Sequence, residues 1–188
     1  MKKQFILFGI ILFTSAASLA ITLDERAADS RKVIKEFAGQ LKGKLQEGMK
    51  KGGPVNAVNV CKTEADGIAQ KISTKYGWEI SRTSLKTRNA DNAPDKWEKN
   101  ILEDFEKRKD AGEDPTKIEH FKIVNRLGKR YFRYMKAIPT GGVCLSCHGE
   151  KLDPKLTTRL DKLYPEDKAR GFALGDLRGA FTITQPLD

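Results

Sequence analysis

Apolar residues recur at Ile34, Phe37, Leu41, Leu45 and Met49, in steps of three and four that trace one face of a helix. Ahead of them, Thr22-Leu23-Asp24-Glu25 fits a capping box, with Thr22 as N-cap and Glu25 reaching back to it. Gly52-Gly53 ends this helix, and Pro54 suits the first turn of a second. The second helix carries Val58, Cys61, Ala65, Ile68 and Ile72 on one stripe, so Cys61 points inward. "WEISRTS" (78–84) has strand character and runs into a polar loop, "LKTRNADNAPD". Pro94 opens a third helix with Trp97, Ile101 and Phe105 on one side, and Gly112 stops it. "KIEHFKIVNRLGKRYFRYMKAI" (117–138) predicts a hairpin turning near Leu127-Gly128, because aromatic and β-branched residues dominate both arms. Asp153-Pro154 starts a short helix bearing Leu156, Leu160 and Leu163. Gly171, Gly175 and Gly179 punctuate a connection into a last strand, "GAFTITQ". Helices come first and strands later, in antiparallel succession. The pattern predicts an α+β fold with one antiparallel sheet and helices packed mainly on one face.

The first 20 residues, "MKKQFILFGIILFTSAASLA", change the picture of where the protein works. Lys2 and Lys3 make a basic start, Phe5 to Phe13 is apolar, and Ser18-Leu19-Ala20 offers small residues for cleavage. That is the layout of a secretory signal, which places residues 21–188 outside the cytoplasm as one domain. The alternative is an uncleaved membrane anchor, for which the apolar run is short against a span of about 20 residues. The chain of 188 residues has a formal net charge of +10, to which Lys2 and Lys3 contribute. An exported basic protein does not point to nucleic acid. The charge is compatible with an acidic protein partner or anionic lipid, and equally with a generally solvated basic surface.

Candidate chemistry is concentrated in "GGVCLSCHGE" (141–150). Cys-x-x-Cys-His is the attachment signal of a c-type haem. Two thiols separated by two residues on a helical turn reach the two vinyl groups on adjacent edges of a porphyrin. The next residue projects beneath the ring, so Cys144 and Cys147 become thioethers and His148 an axial iron ligand. Three other chemistries compete. A redox-active Cys-x-x-Cys has no need of His148. A disulfide between Cys144 and Cys147 closes a very small loop, with little entropy to gain. A zinc site of Cys61, Cys144, Cys147 and His148 has a suitable ligand set, but adjacent Cys147 and His148 strain to converge on one tetrahedral ion. Haem formation leaves Cys61 with no cysteine to pair with. It is either a buried core thiol or the second axial ligand opposite His148. His120, Met135 and Met49 are the rival sixth ligands, with His120 expected to face solvent.

"AVNVCKTEADGIA" (57–69), "SRTSLKTRNADNAPDKWE" (81–98), "CLSCHGE" (144–150) and "YPEDKARGFALGDLRGAFTI" (164–183) resemble one family. It is the group of exported single-haem c proteins with a PAS-like fold and a Cys/His-ligated iron. The resemblance implies a sheet of about five antiparallel strands flanked by helices, with the haem between sheet and helices. It also implies that Cys144 and Cys147 are the covalent cysteines, His148 the proximal ligand and Cys61 the distal one. Thr87 in "LKTRN" stands where the family pattern has proline. Asp176 and Arg178 are expected to brace the turn before the last strand. Arg82, Arg88 and Arg178 are candidates for the haem propionates. A six-coordinate haem has no vacant site for substrate, so the expected role is electron transfer with an unidentified partner rather than catalysis. The alternative is a redox or gas sensor that binds carbon monoxide or nitric oxide after Cys61 leaves on reduction.

Overall fold

A computed structural model of the chain describes residues 21–187, so the segment read as a secretory signal lies outside the described residues. Helix α1 (Leu23–Tyr76) is a helical hairpin rather than one rod. Its backbone leaves helical geometry at Gly52 (φ −175°, ψ 28°) and Gly53 (φ 65°, ψ −161°), and Pro54 begins the second arm. Gly53 adopts a conformation that a side chain would not tolerate, which is why the reversal falls there. The arms run antiparallel: Lys75 Nζ and the Tyr76 hydroxyl donate to the Glu36 carboxylate at 2.9 and 2.8 Å. The capping box is complete, with Glu25 N–H donating to Thr22 Oγ1 at 3.2 Å and Thr22 N–H to Glu25 Oε2 at 2.7 Å.

Strands β1 (Glu79–Thr83), β2 (Glu119–Arg126), β3 (Lys129–Pro139) and β4 (Leu177–Pro186) form one sheet in the order β1-β4-β3-β2. Every pairing is antiparallel. The family resemblance implies about five strands; four pair among the described residues. One face carries Ile80, Phe132, Tyr134 and Ile183 against Val33, Phe37, Ile68 and Ile72 of α1. The other carries Met135, Ala137 and Ala180 against Leu102 and Phe105 of α2 (Lys96–Asp110). Helices therefore cover both faces, not mainly one. The reason is legible in β3: Phe132 and Tyr134 point one way, Met135 and Ala137 the other, and all four are buried.

Two short helices follow β3. Helix α3 (Gly142–His148) holds the Cys-x-x-Cys-His segment. Helix α4 (Pro154–Leu163) starts from Asp153, whose carboxylate accepts from the Lys155 and Leu156 amides. It packs Leu156 and Leu160 on Val58 of the second α1 arm and on Tyr164. The β2–β3 turn puts both central residues at positive φ, Leu127 at 52° and Gly128 at 76°. Glycine does this freely; leucine pays about 1 kcal/mol. Among the described residues no helix is long and apolar enough to cross a membrane.

Candidate functional site

The site is built where β3 ends. Thr140 N–H donates to the Asp176 carbonyl at 2.7 Å and Gly175 N–H to the Thr140 carbonyl at 2.9 Å, tying the entry of α3 to the approach to β4. Helix α3 then presents Cys144, Cys147 and, as its last residue, His148. The segment after α4 folds back over it: Phe172 N–H donates to the His148 carbonyl at 3.0 Å and Gly171 N–H to the Gly149 carbonyl at 3.1 Å. That return brings the Ala169 carbonyl within 2.8 Å of His148 Nδ1. A carbonyl only accepts, so Nδ1 carries the proton and Nε2 keeps its lone pair. Burial, followed by the nearby Arg178 and Arg88 charges, pushes the imidazole down to about 3. At neutral pH His148 is an uncharged ring with a fixed tautomer, the state in which imidazole binds a metal ion.

His148 lines a cavity of about 160 Å³ together with Leu41 of α1, Arg82 of β1, Ile138 of β3, Phe181 of β4, and Arg88 and Arg178. Three guanidinium groups thus share one small space, and they are not equally compensated. Arg88 donates to Asp167 Oδ1 at 3.2 Å and to the Cys147 and Ala169 carbonyls at 2.6 and 3.1 Å. Among the described residues Arg178 donates hydrogen bonds to neutral groups: Ser84 Oγ at 3.1 Å, the Lys86 carbonyl at 3.1 Å and His148 Nε2 at 3.4 Å. Burial, with Arg88 and Arg82 adding repulsion, lowers it to about 10. Arg82 makes no hydrogen bond or ion pair among the described residues and lies over the Phe37 ring at 6.0 Å. Burial holds its pKa below the ordinary arginine value. The Arg82 and Arg178 side chains are both half-buried, and cations drawn out of water without an ion pair lose part of their solvation. The cavity therefore presents a nitrogen lone pair at Nε2 beside two guanidinium groups that make no ion pair among the described residues.

Cys61 sits on the second α1 arm, half-buried, within electrostatic reach of Arg82, Arg88 and Cys147. Burial pushes its thiol up, and the two guanidinium groups oppose that. Cys147 is pushed up by burial too and packs against the cluster of Val58, Leu156, Leu160 and Tyr164. The three cysteines are free thiols, and among the described residues no three or more Cys, His, Asp or Glu side chains converge as a metal-ligand set. The structure thus brings Cys61, Cys144, Cys147 and His148 to one side of the molecule without making them a zinc site.

The rival ligands lie elsewhere. His120 and Met135 are directly paired across β2 and β3, so they share a face. That face packs on α2, where the Trp97 ring lies 5.9 Å from His120. The cavity opens on the α1 face, since Phe181 meets Phe37 at 5.7 Å. His120 was expected in solvent; instead its Nε2 is buried and unpartnered under Trp97. Met49 is eight residues beyond Leu41, about 12 Å further along the helix.

The profile of the Tll0287-like family matches residues 16–186. The chain belongs to the Tll0287-like family. Among solved structures, the crystal structure of the cyanobacterial heme-protein Tll0287 matches with a TM-score of 0.64 and 24% identity, over 86% of this chain and 95% of that one. At that identity the likeness establishes the fold, which agrees with the α+β reading of the sequence. No curated protein matches significantly.

Within this Tll0287-like fold, several site residues had no role assigned from sequence. Asp167, its side chain 1% exposed, accepts from Arg88, from Arg170 Nε at 2.8 Å and from the Ala169 amide at 2.9 Å. It thereby positions the carbonyl that holds His148. The acidic run "PED" was visible, but nothing in it singles out the buried member. Asp176 does brace its turn, accepting from the Ala173 amide at 2.8 Å, whereas Arg178 serves the cavity. Thr87 is tied in by its backbone, its carbonyl accepting from the Lys168 amide at 2.8 Å.

Proposed function

We propose that the protein carries one haem, joined covalently through Cys144 and Cys147, and transfers electrons outside the cytoplasm. The observation that carries this reading is a neutral, oriented imidazole beside two half-buried guanidinium groups that make no ion pair among the described residues. His148 Nε2 suits iron, and Arg82 and Arg178 suit propionate carboxylates through charge-assisted bonds. Cys144 and Cys147 are three residues apart on the same short helix, hence on one side of it. The likeness to a solved heme-protein supports the same cofactor. The 160 Å³ cavity is smaller than the roughly 300–1,000 Å³ of sites that enclose drug-sized ligands. Its walls would have to part to admit a haem, and Arg178, whose Nε lies 3.4 Å from His148 Nε2, would have to leave that nitrogen.

When bound, haem supplies a one-electron couple whose potential the axial ligands set. Cys61 is the side chain we assign opposite His148. Its place beside Cys147 and under Arg82 and Arg88 supports this, since both charges favour a thiolate. A thiolate adds negative charge and stabilises ferric over ferrous iron, so the potential falls below that of a His/Met cytochrome. Were His148 and Cys61 both to hold the iron, no position would be left for substrate, and we assign no catalytic role. The basic leader and apolar run of residues 1–20 support export, and the basic surface suits an acidic redox partner. Potentiometric titration of the exported, haem-loaded protein tests this: a midpoint well below His/Met cytochromes is expected, and a strongly positive one overturns the assignment.

One observation favours a second reading, a haem-based sensor. Burial raises the Cys61 thiol pKa, so a thiolate released there on reduction takes up a proton and does not readily return. Gas-dependent spectra of the reduced protein under carbon monoxide and nitric oxide are expected in that case. Spectra unchanged by either gas leave electron transfer alone.

A further inference from the structure

The β2–β3 hairpin tip is built against the interest of folding. Leu127 occupies a left-handed backbone position at φ 52° and is 96% exposed, so it contributes neither turn preference nor core. Asparagine or glycine would serve the turn better. Around it stand Lys122, Arg126, Lys129 and Arg130, all exposed, and no acidic residue occurs between Glu119 and Tyr131. Ile123, 42% exposed, adds a second aliphatic side chain. An apolar apex ringed by cations is the chemistry that meets an anionic lipid surface: the apex enters the headgroup layer and the cations meet phosphates.

A second observation comes from the opposite end of the chain. Arg26 Nη1 donates to Gln185 Oε1 at 3.1 Å, and the Gln185 amide donates to Ser30 Oγ at 2.9 Å. Gln185 pairs with Phe132, three residues along β3 from Lys129, and Leu187 N–H donates to the Arg130 carbonyl at 3.1 Å. The first turn of α1 therefore lies at the hairpin end of the sheet. Ile21 and Leu23, 56% and 42% exposed, lie at this end. Among the described residues the carboxylates of Asp24, Glu25 and Glu79 lie at this end, and Glu25 is occupied by its capping box. The cavity around His148 is at the other end: Ile138 is nine residues from Lys129, about 30 Å along the strand.

We propose that the β2–β3 hairpin tip docks this protein on an anionic membrane surface, with Leu127 inserted and the haem-site end turned away from the bilayer. An acidic protein is the lesser fit, because a single projecting leucine offers no pocket and little area for a protein hot spot.

The test places a depth probe at the tip of the full chain. Leu127→Trp protein is mixed with vesicles of brominated phosphatidylcholine, with or without phosphatidylglycerol, and compared with unmodified chain to subtract Trp78 and Trp97. Quenching and a blue shift of the added indole are expected on phosphatidylglycerol vesicles and not on pure phosphatidylcholine. Each cation near an anionic surface is worth roughly five-fold in affinity. Adding Arg126→Ser and Lys129→Ser should therefore raise the lipid concentration for half-quenching by roughly 30-fold. Both changes are about 30 Å from the haem site by strand rise, so the haem spectrum stays unchanged and confirms an intact fold. An indole that remains unquenched on anionic vesicles overturns the proposal, as does quenching that is equal on neutral vesicles or indifferent to the two serines.

Discussion

At the scale of single residues, His148 and Arg82 show how far charge is constrained here. The folded His148 imidazole titrates at about 3, against roughly 6.5 in an unfolded chain. Between those values the unfolded state binds more protons, so stability rises with pH through that window and is lost as the solution is acidified from about 6.5 towards 3. Urea unfolding of the haem-free chain at pH 7 and pH 4 should show this loss, and His148→Gln should flatten the slope. An identical slope in the two proteins contradicts the assigned tautomer and burial. Arg82 is a half-buried cation with no hydrogen bond or ion pair among the described residues, so Arg82→Leu should leave the haem-free chain at least as stable as the parent. In the loaded protein the same change removes a positive charge beside the iron and should lower the midpoint potential. A stability loss without haem, or a rise in potential with it, would speak against Arg82 as a propionate partner. Of these features the sequence displays the Cys-x-x-Cys-His signal openly, because its spacing is local. That Arg82 and Arg178 lack counter-ions while Arg88 has Asp167 depends on residues about 80 positions apart, which no local pattern encodes.

Among elements, capping and turn chemistry were legible from short stretches. The Thr22–Glu25 box, the Gly52-Gly53 reversal, the Asp153-Pro154 start and the Leu127-Gly128 turn all fall where the sequence places them. The α2 stripe of Trp97, Ile101 and Phe105 was equally clear, but the face it covers was not. Which side of a sheet a helix takes is decided by β3, whose apolar residues on both sides read alike as a buried strand. The bend into β4 is the most exacting element. Gly179 has φ 150°, and a Cβ there would overlap the Thr83 carbonyl oxygen and crowd Ser84. Gly179→Ala should therefore cost about 3 kcal/mol or more, by strain and by displacement of β1 from β4. Thermal unfolding checks it, and a variant as stable as the parent would contradict the register of Thr83 against Ala180.

For the whole molecule, the α1 hairpin on one face and α2 on the other face of a four-stranded sheet leave one end of the α1 face open, and the site residues gather there. Both axial candidates come from helices on that side, Cys61 from the α1 hairpin and His148 from α3, while His120 is across the sheet under Trp97. This topology was only half visible beforehand: the order of elements gave the class, whereas the pairing of Cys61 with the Cys-x-x-Cys-His segment was an expectation from the family resemblance alone. Sequence spacing alone left the sixth ligand open, because Cys61 and His148 are joined only through the folded chain. The central claim is that these two side chains hold the iron. Optical and EPR spectra of the exported, haem-loaded protein, beside Cys61→Ala and His120→Ala, test it most directly. The account predicts a low-spin thiolate-ligated ferric signal that Cys61→Ala abolishes and His120→Ala leaves untouched. A ferric spectrum that survives Cys61→Ala, or that changes with His120→Ala, would contradict it.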